Sequence, residues 1–113
     1  MKPLSQQVFE SLFETKWAPG EIVQFLPQGR HIQEFGIGLE VLTGTVEAIK
    51  IGRLQQFYTI SSNGLMFDGI PEADMSQDVG ILFTRMKDIE NGVERVQEAE
   101  EYDIVAEYKL KGR

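Results

Sequence analysis

Residues that could carry acid–base or metal chemistry are few and scattered in this chain. The sequence of 113 residues holds a single histidine, His31, and no cysteine, so imidazole and thiolate ligands for a transition metal are scarce. We expect His31 to face solvent or to brace a loop, because no serine or cysteine forms a recognisable constellation with it. The acidic run at residues 98–103 is too dense in one charge for a catalytic pair and lacks the central glycine of a calcium loop. We therefore predict no catalytic residue, no metal site and no enzymatic activity.

The tripeptide Gly36-Ile37-Gly38 weakly resembles a dinucleotide-binding fingerprint. A glycine-rich loop binds phosphate when it leads into the N-terminus of a helix. The residues that follow this tripeptide favour a strand instead, so we predict no cofactor and no cofactor-binding residue.

Acidic side chains outnumber basic ones, and the formal net charge is −7. Most of the excess acid lies in residues 71–113. Because a surface of this sign repels phosphates, we predict a protein partner and no direct binding of nucleic acid. The acidic C-terminal third is either a binding surface or only a solvated face, and the sequence leaves both alternatives open.

Several features bear on the cellular compartment. No apolar run approaches the ~18 residues that a membrane span needs, so we expect no membrane partner. Residues 1–16 are amphipathic and do not resemble a signal peptide. The absence of cysteine also permits a reducing compartment. We expect a small soluble domain in the cytoplasm, with its oligomeric state open.

The N-terminal segment is predicted to form a helix that covers the rest of the domain. Its apolar residues recur at helical spacing, Ser5 fits the N-cap position, and Pro19-Gly20 ends the element. The apolar stripe consists of Leu4, Val8, Phe9, Leu12 and Phe13.

The middle of the chain is predicted to consist of short strands joined by tight turns. Asn63-Gly64 is the strongest hairpin signal in the sequence, because both residues tolerate a positive φ. Pro71 has its φ already set for the first turn of a helical segment at residues 71–75. The β-branched and aromatic composition of the intervening runs favours strands. The predicted strands are residues 21–26, 45–51, 54–60 and 65–67.

The C-terminal third contains mixed signals. Residues 79–83 form a short apolar run suited to a last barrel strand. Residues 88–99 place apolar side chains on one helical stripe, which favours a helix, although Asn91-Gly92 offers a hairpin turn as the rival interpretation. From Tyr102 onward the apolar period changes to two, which predicts a strand with one buried face.

This order of elements resembles the layout of the SH3-like small β-barrel. Residues 27–40 take the place of its long first loop, IGR and SSNG that of its short turns, and PEADM that of the helical turn before its last strand. The resemblance covers residues 21–84 and implies an α+β, mainly β fold. We expect one domain over residues 1–113, with an N-terminal helix within residues 1–20 and a C-terminal helix-plus-strand extension in residues 85–113.

Peptide-binding members of the SH3 family carry an ALYDY-like segment and a paired tryptophan, and this chain has neither. Recognition of proline-rich peptides is therefore not implied. Phe35, Tyr58 and Pro71 occupy the positions that could rebuild an aromatic groove, and we predict them as partner-binding residues on position alone. Phe35 has the alternative of folding back to plug the core.

Two functions follow from these observations. The first is a non-enzymatic protein–protein interaction or adaptor module, similar in style to small accessory proteins of bacteria, phages and mobile elements. The second is a structural subunit of a phage particle or another homo-oligomeric assembly, in which the strand from Tyr102 pairs with a neighbouring subunit. The sequence does not identify the partner.

Overall fold

The computed structural model describes residues 15–97 and 103–110. Within these residues the chain is mainly β, with an antiparallel sheet accompanied by helices. In chain order the elements are β1 (Ile22–Phe25), α1 (Gly29–Phe35), β2 (Leu42–Gly52), β3 (Gln56–Ser62), β4 (Leu65–Pro71), a 3₁₀ turn (Glu72–Asp74), β5 (Met75–Ser76), α2 (Val79–Glu90) and β6 (Ile104–Lys109).

Strand β2 organises the sheet. The strand order is β4-β3-β2-β1-β5, and β6 also pairs with β2. One edge of β2 pairs with β3, while the other edge pairs first with β1 and then, further along, with β6. The register to β3 shifts between Val46 and Ala48, which marks a bulge near the point where β2 changes its partner.

The core lies on the inner face of these strands. Alternate residues of β2 point inward, as expected for a half-buried strand. A fully buried leucine, isoleucine or phenylalanine side chain contributes about 1.5 to 3 kcal/mol to the free energy of unfolding through its removal from water. The largest fully buried apolar side chains are Tyr58, Phe25, Phe67, Leu26, Ile49, Ile51, Ile60, Ile70 and Leu82.

Turn chemistry places the middle strands where the sequence predicts them. Asn63 and Gly64 both have a positive φ, 51° and 79°, and they join β3 to β4 as a two-residue hairpin loop. Pro71 is followed by the predicted helical turn, here a 3₁₀ turn. The strand predicted from Tyr102 onward is confirmed as β6, whose exposed and half-buried residues alternate.

The long first loop predicted at residues 27–40 contains a helix, α1. The prediction missed it because Gln28 and His31 together cap its first turn, with the Gln28 N–H donating to His31 Nδ1. Gly36 ends the helix with a φ of 65° in the left-handed region.

The last strand predicted at residues 79–83 is wrong, because these residues begin helix α2 and the strand before it is β5. Asp78 caps α2 by accepting a hydrogen bond from the Gly80 N–H at 2.9 Å. The helix predicted at residues 88–99 is wrong beyond Glu90, where α2 ends, because residues 91–97 are not helical. Asn91-Gly92 closes the helix and does not form a hairpin. Of the N-terminal helix predicted within residues 1–20, residues 1–14 lie outside the described residues, and residues 15–20 are not helical.

We predict that replacing Gly64 with valine destabilises the fold, since a β-branched side chain is strongly disfavoured at a φ of 79°. A cost of about 1 kcal/mol would lower the melting temperature by about 4 to 8 °C. Gly38→Val is the matched control, because a side chain at Gly38 meets open space and no positive φ. Thermal unfolding followed by circular dichroism measures both variants, and equal melting temperatures would contradict the hairpin's role.

Candidate functional site

His31 is buried and both of its ring nitrogens are engaged. Nδ1 lies 3.1 Å from the backbone N–H of Gln28, which can only donate, so Nδ1 accepts. Nε2 therefore carries the proton and donates to Asp68 Oδ1 at 3.1 Å. The ring also stacks on Phe35 and meets the edge of Phe67. His31 thus braces the α1 segment, and its geometry does not suit a general base.

Asp68 completes this contact from β4. Partial burial acts to raise the pKa of Asp68, but the hydrogen bond from His31 and the charge of Arg30 outweigh it and hold the pKa below its usual value. Arg30 also donates to the backbone carbonyl of Asp68. Helix α1 is in this way tied to β4 by two side chains.

Asp74 is fully buried and is bound from three directions. Gln28 Nε2 donates to Oδ2 at 2.8 Å, Arg85 Nε donates to Oδ1 at 2.8 Å, and Arg95 Nη2 donates to Oδ2 at 2.9 Å. The carboxylate therefore links the 3₁₀ turn to α2 and to the segment that follows α2. Because its oxygens are already occupied by these donors, this cluster is a structural clamp.

Two of the three predicted partner-binding residues lie inside the protein. Tyr58 and Pro71 are buried, and Phe35 is half-buried with its ring 5.2 Å from that of Phe67. Phe35 therefore folds back onto the core, as its alternative prediction had it. The structure does not bring the three residues together as an exposed aromatic groove, and their binding role stays a prediction.

The hydroxyl of Tyr58 donates to Glu72 Oε1 at 2.5 Å. Burial, followed by the hydrogen bond and the charge of Glu72, raises the pKa of the Tyr58 phenol well above its ordinary value. The phenol is therefore a fixed, un-ionised donor that holds the 3₁₀ turn against β3.

Exposed apolar side chains concentrate where α2 begins beside β1. Ile22 is 62% exposed, Ile81 57% and Phe83 54%, and Val79 is also exposed. Gln77 Nε2 donates to the backbone carbonyl of Ile22 at 3.2 Å, which places the start of β1 next to the start of α2. We call Ile22, Val79, Ile81 and Phe83 the apolar patch.

The sequence carried a misleading signal for the apolar patch. The apolar run at residues 79–83 is typical of a buried strand, yet within it only Leu82 is buried. The other large side chains of the run lie on both flanks of Leu82 around the helix. The missed signal was the N-cap, Asp78, which shows that the run starts a helix.

A cavity of about 400 Å³ lies beside the turn that joins β2 to β3. It is lined by residues 52–55, with Phe57, Gln97 and Asp103. Arg53 and Asp103 contribute opposite charges, and the described residues of the lining include no histidine or serine that could act as an acid–base or nucleophilic group.

Metal ligands do not gather anywhere in residues 15–97 and 103–110, which contain no group of three or more suitable side chains. In the same part of the chain, no helix is long and apolar enough to cross a membrane. Scans against protein-family models and searches of curated proteins and of solved structures find no match to this chain.

We predict that Asp74→Ala lowers the free energy of unfolding by about 3 to 5 kcal/mol, because it leaves two largely buried guanidinium groups beside each other without their carboxylate. Asp88→Ala is the control, since Asp88 is an exposed carboxylate on α2. Urea denaturation measures both variants. A loss for Asp74→Ala no larger than for the control would refute the clamp.

Alkaline titration tests the environment of Tyr58. A phenol whose pKa is raised by folding contributes stability that is present below the unfolded value of about 10 and is lost as the pH rises above it. Tyr58 should therefore stay un-ionised until the protein unfolds, as followed by phenolate absorbance and circular dichroism on the same samples.

Tyr58→Phe is the matched variant for this titration. The replacement should lower the free energy of unfolding by about 1 to 2 kcal/mol at neutral pH. As the pH rises in the alkaline range, the free energy of unfolding of the variant should fall less steeply than that of the parent. Ionisation of Tyr58 near its ordinary pKa with the fold intact would contradict the assignment.

Proposed function

We propose that this chain is a non-enzymatic protein-interaction module that binds its partner through the apolar patch. The observation that carries the proposal is that half of the exposed large apolar side chains of the described residues lie on the first turns of α2 and at the adjacent start of β1. Among the described residues, eight large apolar side chains are exposed, and four of them form the patch. Single exposed apolar residues are normal, but a cluster of them is typical of an interaction surface.

The shape of α2 supports this proposal. Val79 and Phe83 are four residues apart and share one flank of the helix, while Ile81 lies on the other flank. Between these flanks the helix surface carries the small residues Gly80 and Thr84. A partner can therefore approach the helix backbone closely and contact apolar side chains on both sides. Phe83 supplies the aromatic anchor that interaction hot spots commonly contain.

Charge indicates the kind of partner surface. The chain has a net charge of −7, and exposed carboxylates lie at Asp78 before α2 and at Asp88 near its end, beside the exposed Lys87. An apolar partner surface with basic residues at its rim would complement this arrangement. A cytoplasmic protein partner fits the proposal, which needs no nucleic acid and no cofactor.

We also propose that the sheet is an SH3-like barrel. The strand order β4-β3-β2-β1-β5, with a 3₁₀ turn between β4 and β5, supports this assignment. The proposed interface nevertheless differs from a peptide groove at Phe35, Tyr58 and Pro71. It uses α2, an element that follows the barrel strands in the chain.

Affinity capture with the tagged full-length chain tests the proposed function. The extract comes from cells in which the chain is naturally made, and captured proteins are quantified by mass spectrometry. Phe83→Ser should reduce capture of a true partner at least tenfold, because a hot-spot side chain is worth about 2 kcal/mol or more.

Leu54→Ser is the matched control for this experiment, since Leu54 is 97% exposed and lies outside the patch. It should leave capture unchanged, and both variants should keep the parental melting temperature. Capture that survives Phe83→Ser, or that is lost equally in Leu54→Ser, would overturn the apolar patch as the interface.

A further inference from the structure

Strand β6 has one edge that faces no other strand among the described residues. Its first edge pairs with residues 48–52 of β2. The Leu110 N–H donates to the Glu47 carbonyl at 2.7 Å, so Leu110 directs its backbone groups towards β2. In an antiparallel ladder, successive residues of a strand direct their backbone N–H and C=O groups alternately towards the strand on one side and towards the other side. Tyr108 therefore also faces β2, while Glu107 and Lys109 direct their backbone N–H and C=O groups away from it.

The two other outer strands of the sheet are occupied differently. Along β4, Arg30 donates to the Asp68 carbonyl, and the strand ends at Pro71, which has no N–H to offer. Strand β5 has only two residues and leads directly into α2. An edge that offers backbone groups is a template for another strand, and β6 is the candidate that the described residues leave for this role.

The charges on β6 are self-complementary in one register. If a second copy aligns antiparallel with its twofold axis at Tyr108, each Glu107 stands opposite Lys109 of the second copy. Opposite charges at directly opposed positions stabilise a strand pair by about 0.2 to 1 kcal/mol each. An axis at Glu107 or at Lys109 would instead place that charge opposite itself, which is destabilising.

The neighbouring strand extends this pattern. Lys50 of β2 is the register partner of Glu107, so the row Lys50, Glu107 and Lys109 of the second copy would alternate in sign. Both outer side chains are accessible, with Lys109 72% and Glu107 37% exposed. Within one chain, Lys109 Nζ lies 3.5 Å from Glu107 Oε1. Since β6 carries one acidic and one basic side chain, the strand has no net charge although the protein is acidic.

A lysine on an edge strand often prevents pairing with other chains. Here Glu107 lies two residues from Lys109 and has the opposite charge. The two side chains that disfavour pairing with an unrelated strand therefore favour pairing with β6 of a second copy, where each charge faces its opposite. We propose that β6 pairs with β6 of a second copy of this chain, with the twofold axis at Tyr108. The result is a continuous sheet in the order β4-β3-β2-β6 followed by the same strands in reverse. This proposal uses a different surface from the apolar patch and does not depend on it.

Charge reversal tests the proposal with the full-length chain. Sedimentation equilibrium over a range of concentrations should show a reversible monomer–dimer equilibrium for the parent. Glu107→Lys and Lys109→Glu should each raise the dimer dissociation constant at least tenfold, because each places like charges opposite each other. The double variant with both replacements should regain most of the lost affinity, since opposite charges again face each other across the two copies, although residue 107 then carries the same charge as its register partner Lys50.

Three controls make the result specific to the edge. The melting temperature of each variant at a concentration where it is monomeric shows whether the fold is kept, and the double variant separates a folding defect from a pairing defect. Phe83→Ser should leave the dimer intact. A parent that stays monomeric at all concentrations, a double variant that does not regain dimerisation, or a dimer abolished by Phe83→Ser would each overturn the proposal.

Discussion

The buried carboxylate of Asp74 is the interaction on which the placement of the other elements depends. Its side chain binds Gln28, Arg85 and Arg95, while its backbone carbonyl accepts the Leu26 N–H at 2.9 Å. A charge removed from water must keep its partners, because an isolated buried carboxylate is very costly. The chain after β1, the 3₁₀ turn, helix α2 and the segment beyond α2 are therefore held to one arrangement.

This constraint also explains why α2 exposes apolar side chains. Arg85 can reach Asp74 only when the face of α2 that carries Leu82 and Arg85 points inward. Rotating the helix to bury Phe83 would expose Leu82, which is fully buried, so the gain of about 1.5 to 3 kcal/mol from one side chain would be largely offset by the loss from the other. It would also withdraw a guanidinium from the buried carboxylate, which costs about 3 to 5 kcal/mol. The electrostatic contact outweighs the hydrophobic gain, and Ile81 and Phe83 remain at the surface.

Features encoded by neighbouring residues could be predicted from the sequence. The Asn63-Gly64 hairpin, the helical turn after Pro71 and the period of two in β6 all depend on local chemistry, and all are present. Helix α1 was missed because its cap uses the side chain of His31, whose role depends on Asp68 in a distant strand.

The candidate site was less predictable than the fold. Residues 79–83 have the composition of a strand, and their helical state depends on a cap at Asp78 and on the distant carboxylate of Asp74. The clamp joins residue 28 to residue 74, which is 46 positions later, and to residues 85 and 95, and these residues share no motif. Tertiary contacts of this kind leave no periodic pattern, so the sequence pointed to the aromatic-groove positions Phe35, Tyr58 and Pro71, of which Tyr58 and Pro71 are buried.

The shared edge of β2 has a consequence for synthesis of the chain. Strands β1 and β3 lie close to β2 in sequence and can pair with it early, but β6 is the last strand of the described chain. At typical rates of translation the ribosome needs about 3 to 10 seconds to add the roughly 50 intervening residues. During that interval the second half of β2 presents an unpaired edge to nascent chains on neighbouring ribosomes. A product that terminates before Ile104 would keep this edge open permanently and would be prone to aggregate.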